Sequence, residues 1–282
     1  MPITVSSGTP DRAAVLDLAE RVEAEDGAPP LSDQTLAQLG DAAAAEWAAT
    51  ESDGAGAGVL VGYAQAADGV LEIAARRDAV DALLDAAGTG DSVWSHGHAS
   101  RLVAVLEGRG YRRARELHQL RRPLESDLPA DPPLADGVSV RTFVPGQDDA
   151  AWLALNAAAF ADHPEQGRWD EHDLQARIAE PWFDADGFLL AERDGALVGF
   201  HWTKVHPDGW GEVYVLGVAP DGQGLGLGGA LLVRGLRDLA ERRNCRGVLL
   251  YVDGDNPRAM HLYERDGFTR HDLDIQWAPP AG

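Results

Sequence analysis

Apolar residues along this chain change their spacing from place to place, and each change marks an element. Residues 138–143 alternate apolar and polar and predict a strand, while 148–160 place apolar residues at helical spacing. Residues 169–179 predict a further helix. Phe188-Leu-Leu-Ala-Glu192 and Leu197-Val-Gly-Phe-His-Trp202 flank Arg193-Asp-Gly195, a hairpin signal. The β-branched run 212–218 predicts a strand, followed by a glycine-dense segment and a Leu-rich helix to about residue 243. Residues 248–252 read as a buried strand, 256–265 as a short helix and 272–277 as a closing strand. The order predicts an α/β domain with a mixed sheet.

That domain fills only half of the 282 residues. The segment 124–137 is rich in Pro and Asp, lacks apolar periodicity and reads as a linker between domains 1–123 and 138–282. The halves look like copies of one another. Val59-Leu-Val-Gly-Tyr63 matches Ala196-Leu-Val-Gly-Phe200, and Gly110-Tyr-Arg-Arg113 matches Gly267-Phe-Thr-Arg270 at an offset of 157. The same offset pairs Arg101 with Arg258, Glu107 with Glu264 and Gln119 with Gln276. A tandem duplication is expected.

Charge narrows the partners. A formal net charge of -22 argues against nucleic acid and anionic membrane surfaces, which need basic patches. No stretch reaches the roughly 18 apolar residues of a membrane span, and residues 1–27 show no apolar signal-peptide core. The single cysteine, Cys245, excludes an intrachain disulfide and reads as a small buried residue. A cytoplasmic protein acting on small molecules, as a monomer, is expected. His163, His201 and His206 lack the spacing and Cys partners of a metal site and read as packing or pocket-edge residues. Of 24 basic residues 23 are Arg, and Lys204 is the only lysine. The Lys-poor, Arg-rich composition fits the codon bias of a GC-rich genome, and the surviving lysine fits equally a place where a compact ammonium is not interchangeable with a planar guanidinium.

The candidate chemistry begins at Gln223-Gly-Leu-Gly-Leu-Gly-Gly229, between a strand and a helix. Glycines there let backbone N–H groups converge, and the helix N-terminus adds positive potential. The product is an anion cradle suited to a pyrophosphate. About thirty residues on comes Asn256-Pro-Arg-Ala-Met-His-Leu-Tyr-Glu-Arg-Asp-Gly-Phe268. The two segments in this order resemble the GNAT acetyltransferase pattern of a pyrophosphate loop coupled to an N-x-x-A-x-x-x-Y-x-x-x-G-F segment. Asn156-Ala-Ala-Ala-Phe160, His163-Pro-Glu-Gln-Gly167, Gly199-Phe-His-Trp-Thr-Lys-Val-His-Pro207 and Leu250-Tyr-Val-Asp-Gly-Asp-Asn256 further resemble the mycothiol synthase family, tandem GNAT proteins of actinomycetes.

The resemblance implies two tandem GNAT domains, each a mixed, mostly antiparallel sheet flanked by helices, with acetyl-CoA as co-substrate, no metal, and a cysteinyl–glucosaminyl–inositol amine as acceptor. It implies that Leu216, Gly217 and Val218 line the pantetheine arm. Gln223, Gly224, Leu225, Gly226, Leu227, Gly228 and Gly229 would hold the pyrophosphate, and Asn256, Pro257, Arg258, Ala259, Met260 and His261 would approach from the other side. Glu212 is the implied general base: an α-amine of pKa about 7.7–8.0 must lose a proton before it attacks, a modest task for a carboxylate. Tyr263 is the implied proton donor to the departing sulfur. Asp33, Glu165, Lys204, Glu212 and Tyr251 are the implied acceptor contacts; Asp33 departs from the family's usual Glu and reaches one methylene less. The first half has Leu71-Glu-Ile-Ala-Ala-Arg-Arg-Asp78 in place of the glycine loop and Leu106 in place of Tyr263, so one active centre, in the second half, is expected. A GNAT enzyme for another primary amine and a non-catalytic acyl-CoA sensor remain open on sequence.

Overall fold

The computed structural model describes residues 2–52, 58–88, 90–124, 128–161, 163 and 166–280. The chain forms two compact units, Met1–His118 with Asp253–Asn256 and His271–Gly282, and Gln119–Val252 with Pro257–Arg270. Their boundaries differ from the sequence expectation of 1–123 and 138–282. Residues from His271 onward belong to the first unit because the closing strand pairs there, Ile275 opposite Ser95 and Trp277 opposite Val93.

In chain order the first half contributes β1 (Ile3–Ser7), α1 (Arg12–Asp26), α2 (Asp33–Ala37), β2 (Ala45–Ser52), β3 (Gly58–Ala67), β4 (Val70–Ala75), α3 (Arg77–Ala87), β5 (Ser92–Ser95), α4 (Leu102–Gly108) and β6 (Arg112–Pro123). The second half contributes β7 (Val138–Thr142), α5 (Asp149–Ala159), α6 (Glu171–Ile178), β8 (Phe188–Arg193), β9 (Ala196–Val205), β10 (Trp210–Val218), α7 (Leu227–Arg237), β11 (Gly247–Asp253), α8 (Pro257–Arg265) and β12 (Thr269–Ala278). Strands β1 to β5 pair antiparallel three times and then parallel. Strands β7 to β11 repeat that order and those senses. The duplication read from scattered sequence matches is thus a duplication of topology.

In the second unit helices cover both sheet faces. Trp152 of α5 and Leu174 of α6 pack on Phe188, Phe200 and Trp202, all fully buried. Leu232 and Leu236 of α7, with Met260 and Tyr263 of α8, pack on Val213, Val248 and Leu250. The apolar spacing within α7 aims Leu227, Leu231 and Leu236 inward. The helix predicted to run to about residue 243 is α-helical to Arg237 and ends in one π-type turn, Asp238–Arg242. The β8–β9 hairpin turns through Asp194 and Gly195, both at positive φ, as the Asp-Gly signal predicts. Pro- and Asp-rich residues 128–137 carry no helix or strand and fasten onto α7: Arg234 pairs with Asp131 at 3.0 Å, and Arg237 donates to the Pro129 carbonyl at 3.0 Å. Cys245 lies in the apolar core, where burial pushes its thiol pKa up.

Candidate active site

Strand β10 is the axis of the candidate site. Its partner β9 runs the whole length, pairing Gly211 with Val205 through to Val218 with Gly199. Its other neighbour, β11, pairs only Trp210, Gly211 and Glu212 with Gly247, Val248 and Leu249. Beyond Glu212 the two strands part, so backbone groups on that edge of β10 are left without a ladder partner up to Val218. A bulge at Tyr214 adds twist where the fork opens. Leu216, Gly217 and Val218 lie along the opened edge, and Glu212 is the last residue paired to β11 before it. Gly217 has no room for a side chain: a Cβ there would lie 2.5 Å from Phe200 and 3.0 Å from Phe160.

Past β10 the chain makes one 3-10 turn, Pro220–Gly222, and enters the glycine segment. Gly224 at φ 81 and Gly226 at φ 72 occupy the left-handed region that disfavours a Cβ. Gly226 caps α7 with no side chain, and Ala230 N–H to Gly226 C=O is the first bond of the helix ladder. The N–H groups of Leu227, Gly228 and Gly229 precede that bond and are the orphan donors of a helix start. Leu227 itself is core, so its part in a cradle is its N–H alone. Helix α8 lies alongside: Leu262 faces Gly228 and Gly229, Arg265 approaches Gly229, and Arg258 donates to Gln223 Oε1 at 2.9 Å. Arg258, Leu262 and Arg265 recur at helical spacing, and the outer two bring guanidinium charge to the loop. Met260 turns the other way into the core, His261 is exposed, and Asn256 and Pro257 stand at the start of the helix. These residues fit a phosphate-bearing ligand through amides and arginines despite the acidic whole.

Glu212 is buried and accepts a hydrogen bond from His206 Nε2 at 2.7 Å. Across the ladder it stands opposite Lys204, also buried. The Lys204 ammonium lies 5.2 Å over the Trp182 ring and 5.7 Å over that of Tyr214, within cation–π range. The Tyr214 hydroxyl accepts from Arg177 Nε at 3.1 Å, and burial raises its pKa above the ordinary phenol value. Tyr263 is buried on the inner face of α8 with its ring edge-on to Phe268; burial pushes its pKa upward, so the phenol stays a proton donor. Tyr251, 43% exposed on β11, accepts from Gln119 Nε2 at 2.8 Å. Asp33 is exposed at the start of α2 in the first unit, and Glu165 lies outside the described residues. Its neighbour Gln166 is held by buried Asn156, which donates from Nδ2 to the Gln166 carbonyl at 2.6 Å. His201 is a packing residue, as expected: Nδ1–H donates to the Leu231 carbonyl at 2.9 Å, and burial lowers its pKa to about 4.

Sequence reading passed over several neighbours. Trp182 and Arg177 come from beyond the β9–β10 motif, and no local spacing ties them to it. Leu262 and Arg265 were within reach, because both repeat Arg258 at helical intervals. His206, read from sequence only as a packing or pocket-edge residue, stands two residues beyond Lys204, the strand period, and so on the same face.

Among the described residues, the β4–α3 connection of the first unit holds no equivalent glycine loop. Strand β4 ends at Ala75 and α3 begins at Arg77, with Arg76 between them bound to Glu51 and Asp78. β4 and β5 also part after two pairs, Val70 with Ser92 and Leu71 with Val93. A cavity of only about 10 Å³ remains beside Ile73, Ala75 and Arg101, and Arg101 is tied to Asp26 at 2.7 Å. Among the described residues no helix is long and apolar enough to cross a membrane.

Residues 152–268 match the model of the acetyltransferase (GNAT) family. The chain is 48% identical to the mycothiol acetyltransferase of Streptomyces avermitilis, over 97% of this chain and 94% of that protein. It is 45% identical to the mycothiol acetyltransferase of Thermomonospora curvata, over 96% and 94%. Its fold is similar to a GCN5-related N-acetyltransferase from Sphaerobacter thermophilus, with TM-score 0.71 at 22% identity over 98% of this chain and 97% of that one. A tandem GNAT protein from the clavulanic acid biosynthesis pathway gives TM-score 0.71 at 18% identity, covering both chains fully. Forked strand, glycine cradle and buried carboxylate thus occur on a chain alike over nearly its whole length to those enzymes, and it belongs to the mycothiol acetyltransferase family of GNAT proteins.

Proposed function

We propose that this acetyltransferase works from a single centre in its second half, moving the acetyl group of acetyl-CoA to the cysteinyl amine of 1D-myo-inositol 2-(L-cysteinylamino)-2-deoxy-glucopyranoside. The observation that supports a centre in the second half is the fork in β10 followed by the glycine loop: Glu212 is the last residue paired to β11, the strand opens directly after it, and Gly224 and Gly226 at positive φ lead into α7. A base at that place stands next to the unpaired edge of Leu216, Gly217 and Val218, where backbone groups are available to a pantetheine chain.

Each residue has a bounded task. Glu212 takes a proton from the acceptor's ammonium, leaving a neutral amine to attack the acetyl carbonyl. A backbone donor on the open edge of β10 meets the oxygen as negative charge develops. Amides at the start of α7, with Arg258 and Arg265, hold the pyrophosphate; Tyr263 donates a proton to the departing thiolate sulfur, and the second proton that the nitrogen sheds as the C–S bond breaks returns to the Tyr263 oxygen. Lys204 and Tyr251 contact the polyhydroxyl acceptor. The first half serves as scaffold, with neither cradle nor proton donor. The protein acts on small molecules in the cytoplasm, and as a monomer.

Incubating the protein with acetyl-CoA and the cysteinyl pseudodisaccharide, with mass spectrometry of the acceptor and titration of free CoA thiol, tests this reading. One acetyl group on the cysteinyl nitrogen per thiol released is expected. Acetylation of other primary amines but not of this one would overturn the acceptor assignment. Glu212→Gln should lower kcat about 10²-fold or more with little change in KM for acetyl-CoA.

A further inference from the structure

The mechanism leaves one contact to Glu212 unused. His206 Nε2 lies 2.7 Å from Glu212 Oε2, the shorter side of the hydrogen-bond range. The ring is held at its root by the β9–β10 turn: His206 N–H donates to the Trp210 carbonyl at 2.8 Å, and Gly209 N–H donates to the His206 carbonyl at 3.0 Å. Glu212 is rooted in the ladder on both sides, opposite Lys204 and Leu249. Both ends of the contact are therefore fixed by backbone bonds. Its side chains differ in access, with Glu212 at 10% exposure and His206 at 28%, so the carboxylate is the more enclosed of the two. Around the pair stand Lys204 across the ladder, Tyr214 with Arg177 at its hydroxyl, and Asp208 in the same turn, itself paired with Arg246.

We propose that His206 is a positioning residue for the proton transfer: its Nε2–H holds Oε2 of Glu212, so that Oε1 is the oxygen left to accept the acceptor's proton. A carboxylate free to rotate offers either oxygen in many directions, and the one useful orientation is then only one among them. Tied at one oxygen, it presents the other in a fixed direction, and geometry of this kind is worth more to a rate than to binding. No bond of the histidine breaks; the proton moves from ammonium nitrogen to Oε1 and later leaves to water. The inference rests on Glu212 being the base.

His206→Gln, His206→Ala, Glu212→Gln and the double variant His206→Ala with Glu212→Gln test it, with kcat, both KM values and thermal melting measured for each. A Gln amide reaches the place of Nε2 and keeps a neutral donor there, whereas Ala removes it. His206→Ala should lower kcat roughly tenfold, a part of the 10²–10⁴ that a positioned base supplies, with KM for acetyl-CoA unchanged. His206→Gln should recover most of that loss, and His206→Ala should cost nothing further once Glu212 is Gln, the non-additivity of groups acting as one. Native kcat in His206→Ala, equal impairment of the Ala and Gln variants, or full additivity with Glu212→Gln would each overturn the proposal. An active Glu212→Gln enzyme would instead remove the reading of Glu212 beneath it.

Discussion

Tyr263 carries the sharpest residue-scale test, because its two contributions separate cleanly. The ring fills core space beside Phe268, Met260 and Leu250, and its hydroxyl is the proposed proton donor. Tyr263→Phe keeps the ring and removes only the oxygen, so the melting temperature should change little. Turnover should fall about 10²-fold, the low end for a lost proton donor. Steady-state kinetics with the pseudodisaccharide checks this; an unchanged kcat would make Tyr263 a core residue only. The proposed role comes from its place in the N-x-x-A-x-x-x-Y segment. Its burial on the inward face of α8 follows from helical spacing, which also aims Met260 inward.

At the scale of elements, the strand–loop–helix unit from β10 to α7 depends on backbone conformation more than on side chains. Gly224 and Gly226 sit at positive φ with open space where a Cβ would stand. Substitution by Ala meets no clash there and acts through backbone strain alone, about 1–2 kcal/mol for each. Gly224→Ala and Gly226→Ala should therefore raise KM for acetyl-CoA about tenfold and leave kcat at saturation near native. Gly217 differs: a Cβ would collide with Phe200 and Phe160, so Gly217→Ala should also lower stability, by about 1–3 kcal/mol. Isothermal titration with CoA and thermal unfolding distinguish the two kinds of glycine. If Gly224→Ala binds CoA as tightly as the native protein, the loop is a turn rather than a cradle.

For the whole molecule, two histidines, His201 buried and His96 half-buried, give the halves opposite responses to pH. His96 in the first unit lies between Asp274, 3.1 Å from Nδ1, and Glu72, 3.6 Å from Nε2. Burial alone would lower its pKa, but the two carboxylates outweigh burial and push it up to about 10. Its contribution is therefore complete below the unfolded value of about 6.5 and is lost as pH rises from there towards 10. His201 in the second unit is lowered to about 4 by burial, so the folded state resists its protonation. Stability from that site is present above about 6.5 and is lost as pH falls towards 4. Thermal unfolding from pH 4 to 10 should show both limbs, each about 1.4 kcal/mol for every pKa unit separating the folded and unfolded states. His96→Asn should flatten the alkaline limb and His201→Asn the acid one. Removing the His96 ring also leaves Glu72 and Asp274 without their shared cation, a loss of about 3–5 kcal/mol. If neither variant alters its limb, other groups govern the pH response.

Sequence by itself determined the order of strands and helices in the second half, the glycine cradle, Glu212 and Tyr263 as the candidate proton carriers, and the duplication. The elements, the loop and the duplication follow from local spacing or from repetition at a fixed offset, and the two candidate proton carriers from resemblance of short motifs to a family; none of these needs contact between distant residues. Tertiary structure decided where β10 leaves β11, because a ladder ends only where two strands diverge in space, and neither sequence marks the parting. It also brought Trp182 and Arg177 against Lys204 and Tyr214, since side chains remote along the chain meet only when helix and sheet are packed. The contact of His206 with Glu212 was decided there as well: the strand period puts His206 on the right face, but the turn geometry sets the distance between ring and carboxylate.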